Sequence, residues 1–450
     1  MGNLSAAQHI YFSGIGGIGM SALAQLLASE GKKISGSDIA RSEMIERLEL
    51  QGISVGLTQD GSGIRAGIDL CIFTSAVPPT HPERQACERL GIPTLSYFEA
   101  VGEYAKEFEN VIAISGTHGK STTTALIGLI LAEAGFNPTV IVGTVVSEFH
   151  SNARKGAKTY LVVEACEYKE HMMNIHPSMI VLTNIEADHL DYYRDLEHIT
   201  QTFQKYIDGL PKNGTLFKNV DDQESVDLST DARTVTYGST RQCEYRATNI
   251  AVNGKTQTFS VAGENYSLHI PGKFNVYNAT AAIAVSSTLD ITQSTIDSVL
   301  KKFRGVWRRF EVVGDYHGAT VISDYAHHPT AVHSTIKAAR QFYPGKRVVV
   351  VFQPHQRDRT MKLFDGFTQS FSEADLVIIQ EIYDVAGREG GEQISSRDLV
   401  KAVEKVGKYA FYTRDVAHTR QEIDELIEKD DVVLIMGAGD IYHLAQALCQ

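Results

Sequence analysis

Five cysteines in 450 residues, Cys71, Cys87, Cys166, Cys243 and Cys449, are too few and too scattered for a disulfide scaffold or for paired metal-ligand spacing. They read as free thiols of a reducing compartment. No apolar run reaches the roughly 18 residues of a membrane-spanning helix. The opening MGNLSAAQHIYFSG lacks the basic segment and apolar core of a secretion signal. No transmembrane segment is therefore expected, and the cytoplasm is the expected location. Nor does any strongly basic tract offset the formal charge of -12, which comes from 42 Lys and Arg against 54 Asp and Glu. That balance argues against a protein that wraps nucleic acid, while a small anion held by local donors stays open. Low-complexity tracts and a fixed internal repeat are also missing.

What is present is α/β grammar, and the length suggests two or three domains. HIYFSGIGGIGMSALAQLLASEG reads as a strand, a glycine-rich turn and an amphipathic helix, followed by strands in KKISGSD and DLCIFTSAV. A helix ends in YFEAVGEYAKEFENVIAIS and a second unit begins, with strands NVIAIS, TYLVVEA and SMIVLTN, each running into polar residues. Between residues 219 and 272, segments such as TVTYG, YRATNIAVNG and TFSVAG suggest an antiparallel annex. A third unit carries RVVVVFQ, DLVIIQEIY and DVVLIMGAG. The expected domains are residues 1–108, 109–310 and 311–450.

Within the second unit, ISGTHGKSTTT lies between a predicted strand and a predicted helix, the context a phosphate loop requires. Gly116 and Gly119 allow backbone conformations that aim amides at phosphate oxygens. Lys120 adds a charge, and Ser121 at the helix start can ligate magnesium. Only Thr117 and His118 separate the two glycines, fewer than in the general pattern. Glu164 ends one later strand and His189 follows another, and ligands of parallel sheets gather beyond the carboxyl ends of strands. The pair suits a second magnesium near a transferred phosphate, although magnesium prefers oxygen ligands. The alternative is a helix-capping Glu164 and a His189 bonded to a backbone carbonyl. Glu186, Asp188 and Asp191 read as solvated charges.

GIGGIGMS, with Asp38 at the end of the next strand, resembles a dinucleotide-binding turn. The same amides suit the diphosphate of a UDP-sugar, so a redox cofactor is not required. In the third unit, SDYAHHPT and VFQPHQRDRT follow apolar strands. Asp324 is a candidate for ribose or phosphate, and His327, Arg357 and Arg359 for a carboxylate or the transferred phosphate. For Arg308 and Arg309 the choice is between reaching the phosphates and forming a solvated surface pair. Met20, Trp307 and Phe310 read as packing residues.

Taken together, GIGGIGMSALAQLL, ISGSD, GTHGKSTTT, VVEACEYKEHMMNIHPSMIVLTNIEADHLDYY, PGKFNVYNATAA, RGVWRRFE, SDYAHHPT and FQPHQRDRT resemble the Mur ligase family, in family order and over nearly the whole chain. The resemblance implies an N-terminal Rossmann-like domain for UDP-N-acetylmuramate, a central P-loop ATPase domain, and a C-terminal Rossmann-like domain that receives L-alanine. It implies ATP and Mg2+, an acyl-phosphate route, and a monomer or homodimer. Lys120, Glu164, His189, Arg309, His327 and Arg359 are then the expected catalytic residues. ATP is expected at Gly116, Thr117, His118, Gly119, Lys120, Ser121, Thr122, Asn278, Arg309 and Asp324, and magnesium at Ser121, Glu164 and His189. The UDP-sugar is expected at Gly14, Gly16, Gly17, Gly19, Met20, Ser37, Asp38 and Ser75, and the amino acid at His327, Arg357 and Arg359. One departure stands out. The family stretch after FQPH often begins with arginine, whereas Gln356 precedes Arg357 here.

Overall fold

The computed structural model describes residues 3–384 and 394–450. Two compact units are formed, one from Met1–Asn184, Thr200–Thr236 and Ala281–Thr295, the other from Ile185–Ile199, Tyr237–Thr280 and Ile296–Gln450.

The first unit holds a five-stranded parallel sheet in the order Ser54–Gly56, Lys33–Ser37, His9–Ser13, Leu70–Phe73, Thr94–Ser96. Strands His9–Ser13 and Leu70–Phe73 are wholly buried, which is why they read as continuous apolar runs. Strand order reverses between His9–Ser13 and Leu70–Phe73, and that reversal opens a crevice beyond their carboxyl ends. The short outer strands Ser54–Gly56 and Thr94–Ser96 were not legible in the sequence. Helix Pro82–Leu90 starts on a proline and stops at Gly91, whose φ of 64° suits glycine.

Within an eight-stranded sheet, six neighbouring strands run Thr215–Asn219, Met179–Leu182, Asn110–Ser115, Tyr160–Glu164, Thr139–Val146, Ser151–Arg154. Adjacent strands in this run are parallel except for the last pair, which is antiparallel. Helix Lys120–Glu133 is buried along most of its length. It packs closely on Thr139–Val146 because a Cβ at Gly128 would lie 2.9 Å from Val140.

In the second unit a three-stranded antiparallel sheet comprises Thr248–Asn253, Thr256–Val261 and Glu264–Leu268. The TVTYG segment, expected in this annex, instead forms Arg233–Gly238, which pairs in parallel with Tyr245–Arg246 at the edge of the eight-stranded sheet. A six-stranded sheet follows the order Glu311–Tyr316, Ala319–Asp324, Val432–Met436, Val348–Phe352, Leu376–Gln380, Ala410–Thr413. Separate apolar clusters cover its two faces. No helix among the described residues is long and apolar enough to cross a membrane.

Candidate active site

Pairing places the carboxyl ends of three strands side by side, because Ser115 faces Leu182 on one flank and Ile114 faces Glu164 on the other. The GTHG loop leaves the middle strand. Gly116 has φ 127°, and a Cβ there would sit 2.2 Å from Thr183 Oγ1 and 2.8 Å from the Asn184 carbonyl. Only glycine fits that combination. The loop is tied down from the neighbouring strand end: the Thr117 and His118 amides donate to Asn184 O and Oδ1 at 2.9 and 3.0 Å, and Thr183 Oγ1 donates to His118 O at 2.7 Å. Gly119, at φ 83°, then starts the helix. The amides of Gly119, Lys120, Ser121 and Thr122 head that helix and are the natural donors for phosphate oxygens.

Lys120 Nζ donates to the Gly116 carbonyl, to the Thr117 carbonyl at 3.1 Å, and to both oxygens of Glu167 at 3.1 and 2.9 Å. Burial pulls its pKa down, but the Glu167 charge leads the opposing causes and the net shift is upward, so the ammonium stays charged. Glu167, only 4% exposed, escaped the sequence reading. The available signal was its position three residues past Glu164 in EACE. Thr183 and Asn184 were missed as well, although the polar end of SMIVLTN pointed toward them.

Glu164 is half-buried at its strand end, and its Oε1 accepts the Gly143 amide at 2.5 Å. A Cβ at Gly143 would lie 2.9 Å from the other oxygen, so that glycine makes room for the carboxylate. The Ser121 hydroxyl and the Glu164 carboxylate are hard oxygen donors on adjoining elements, a donor set that fits magnesium.

At the N-terminal crevice several of the expected sugar-binding groups carry hydrogen bonds within the chain. The Gly14 and Ile15 amides donate to Ser37 O at 2.8 and 3.0 Å, Gly17 N donates to Gly14 O at 3.2 Å, and Gly16 N donates to Asp38 Oδ2 at 2.8 Å. The turn's own amides are thus spent on shaping it, and those of Ile18, Gly19 and Met20 at the helix start are left for an anion. Asp38 also accepts from Ile39 N at 2.7 Å, so its carboxylate braces the turn. Ser37 is fully buried, with its hydroxyl on Glu83. Met20 is 3% exposed, as its packing role implied, whereas Ser75 is exposed beyond Leu70–Phe73.

In the second unit, Asp188 is not a solvated charge. It is 6% exposed, and its Oδ1 accepts from Arg359 Nε and Nη2 at 3.1 and 3.0 Å. Burial pushes its pKa up, but His189, Arg359, His327 and His328 outweigh this and hold it well below the usual carboxylate range. Asp188, His189, Gln356 and Arg359 line one small cleft. His327 donates through Nδ1 to Tyr325 O at 2.9 Å; burial first, then the Arg359 charge, keeps the ring neutral. Arg357 is turned aside onto Asp384, at 3.1 Å, and the Ile394 carbonyl. Gln356 holds φ 71° at the start of helix Arg357–Lys362 and is buried, a conformation uncommon for a side chain of its kind.

Arg308 is buried too, donating to Gly437 O at 2.6 Å and Gly439 O at 3.1 Å, which removes the solvated-pair reading for it. Arg309 is half-buried with its guanidinium over Tyr325. Asp324 receives the Phe310 and Ala326 amides, both at 2.7 Å, so its two oxygens brace backbone. Asn278 is buried on helix Lys273–Thr288 and donates to Asn275 Oδ1 at 3.0 Å. Phe310 packs in the core, and Trp307 lies edge-on to Tyr442.

Three family models match the chain in tandem: the Mur ligase family catalytic domain over residues 9–109, the Mur ligase middle domain over 114–286, and the Mur ligase glutamate ligase domain over 308–439. A UDP-N-acetylmuramate--L-alanine ligase of Caldanaerobacter subterraneus is 38% identical over 99% of this chain and 98% of its own length. One from Salinibacter ruber is 39% identical, covering 99% and 95%. Among solved structures, the UDP-N-acetylmuramate-alanine ligase of Thermotoga maritima superposes with a TM-score of 0.83 at 27% identity, covering 98% of both chains. A murein peptide ligase of Psychrobacter arcticus, at TM-score 0.73 and 24% identity over 98% of both chains, shares the fold. The architecture has three domains, a P-loop ATPase domain between two Rossmann-like ones, and the chain belongs to the Mur ligase family.

Proposed function

We propose that this chain is an ATP-dependent amide-forming ligase that joins L-alanine to UDP-N-acetylmuramate, giving UDP-N-acetylmuramoyl-L-alanine, ADP and phosphate in peptidoglycan precursor synthesis. The observation that carries the reading is identity of 38% across 99% of the chain to a relative bearing that activity in its name. The phosphate loop with Lys120 at its helix start supports it. Domain boundaries near residues 108 and 310 fit the three matched segments. The reading assigns the reaction to the cytoplasm and the chain to a monomer or homodimer.

A free carboxylate is a poor acyl donor. The lactyl carboxylate of the sugar therefore attacks the γ-phosphoryl group of ATP and displaces ADP, and the acyl phosphate that forms is then attacked by the neutral amine of L-alanine, which gives up a proton. Collapse of the tetrahedral adduct expels phosphate and leaves the amide. In this scheme the helix-start amides and Lys120 hold the phosphates and offset charge developing during transfer. Ser121 and Glu164, with His189, are the proposed magnesium ligands; the metal, when bound, supplies further charge neutralisation on the phosphates. Asn278 is assigned to the adenine side, Arg309 to phosphate and Asp324 to the ribose side through the backbone it fixes. His327 and Arg359 are assigned to L-alanine. The carboxylate of Asp188 already occupies the Arg359 fork, so an amino-acid carboxylate competes with it there.

The test supplies ATP, magnesium and UDP-N-acetylmuramate with L-alanine, L-serine, glycine or a tripeptide, and follows both phosphate and ligated product. Amide formation preferring L-alanine is expected. Phosphate release without an amide product defeats the ligase reading, and preference for the tripeptide reassigns the acceptor.

A further inference from the structure

Beneath the glycine-rich turn lies a carboxylate that no part of the scheme above uses. Glu83, from the first turn of helix Pro82–Leu90, is fully buried. It accepts hydrogen bonds from Tyr11 Oη at 2.8 Å, Ser13 Oγ at 2.5 Å and Ser37 Oγ at 2.7 Å. Tyr11 and Ser13 project from one face of strand His9–Ser13, as the alternation of a strand requires. Ser37 is paired with Ser13 in register, and each is the last residue of its strand. Room for the phenol is kept by Gly63, where a Cβ would sit 2.4 Å from Tyr11 Oη. Burial raises the phenol's pKa, so it retains the proton it donates. Gln59 Nε2 donates to Ser37 Oγ at 3.1 Å, so that hydroxyl both gives and receives.

The two serines flank the turn. Ser37 holds it directly, since its carbonyl receives both the Gly14 and Ile15 amides. Ser13 O accepts the Thr74 amide at 3.1 Å, and a Cβ at Gly14 would lie 2.5 Å from Thr74 Cγ2. An unneutralised buried carboxylate is costly unless its hydrogen bonds are complete. Here two of the three hydroxyl donors, Ser13 and Ser37, are the strand ends that set the shape of the crevice.

We propose that Glu83 is a positioning residue for the UDP-sugar site: by gripping Ser13 and Ser37 it holds the glycine-rich turn in the shape that leaves the Ile18, Gly19 and Met20 amides free for the diphosphate. This rests on the reading of the N-terminal domain as the UDP-sugar domain. Glu83 does not touch the ligand. It acts through Ser37, so its loss weakens one substrate and spares the others.

Calorimetric titration of UDP-N-acetylmuramate into wild type, Glu83→Gln and Ser37→Ala tests the claim, beside steady-state kinetics in all three substrates. Both variants are expected to bind the UDP-sugar at least about tenfold more weakly, the loss of one charge-assisted hydrogen bond. KM for ATP and for L-alanine should stay within about twofold. Unchanged UDP-sugar affinity overturns the proposal, as does an equal loss of ATP affinity, the mark of a merely structural role. If Glu83→Gln does not fold, Ser37→Ala decides by the same criteria. Wild type that binds the UDP-sugar but forms no amide refutes the ligase reading and leaves the positioning claim to the titration. Wild type that does not bind it refutes both.

Discussion

Two strand–turn–helix junctions of the first unit use glycine for opposite ends. At Gly14–Gly19 the turn amides are consumed internally, by Ser37, Asp38 and Gly14 itself, and the helix start carries no charged side chain. At Gly116–Gly119 the loop is held from outside by Thr183 and Asn184, and the helix opens on Lys120, paired with the buried Glu167. Both present a helix start to an anion. Only the second brings a cation to the helix start, a charge that phosphoryl transfer asks for and static binding of a diphosphate does not.

The largest break in this comparison is Lys120→Ala. We expect kcat/KM for ATP-dependent product formation to fall about 100- to 1,000-fold, with UDP-sugar affinity by titration near that of wild type. Near wild-type turnover would sink the assignment of Lys120.

Next come the two glycines. Gly116→Ala meets a fixed backbone carbonyl as well as Thr183, whereas Gly14→Ala meets chiefly the Thr74 methyl, which can turn. Both positions hold positive φ. Urea unfolding should show a loss of about 2–4 kcal/mol for Gly116→Ala and about 1–2 kcal/mol for Gly14→Ala. Equal losses would mean that the phosphate loop is no more tightly enclosed than the turn.

Asp38 offers a sharper cut. Asp38→Asn keeps an oxygen for the Gly16 amide and should leave KM for the UDP-sugar within about threefold, whereas Asp38→Ala should raise it about tenfold. If Asn proves as harmful as Ala, the carboxylate charge matters and the bracing role is wrong.

The smallest effect lies between the junctions, where Tyr97 packs against Gly19 and Phe98 stacks on His171 at 3.7 Å. Burial, with the Lys169 charge second, depresses the His171 imidazole from its ordinary 6.5 to about 4. Between those values the unfolded chain binds a proton that the folded chain does not, so this contribution is full above about 6.5 and is lost as pH falls toward about 4. His171→Phe keeps the stack and removes the titration. Its melting temperature should therefore decline less than that of wild type across that interval, and parallel declines would exclude His171 as the source.

Much of this was legible because strand and helix periods, and glycine followed by lysine at a junction, are local signals. Asn110–Ser115, the GTHG loop and helix Lys120–Glu133 follow from adjacent residues alone. Partners were not legible. Glu83 reaches Ser37 across 46 positions and Arg359 reaches Asp188 across 171, and nothing in either local stretch marks the contact. For the same reason Asp188 read as a solvated charge, and Arg308 stood between a solvated pair and a phosphate contact, until the chain buried them.

By itself, then, the sequence determined the α/β class, the order of the motifs and the chemical kind of each candidate group, since these depend on residue type and short spacing. Tertiary structure decided which amides remain open to an anion, which carboxylates brace backbone and which cation each faces. Those outcomes depend on burial and on hydrogen bonds between distant segments, which form only when strands come into register.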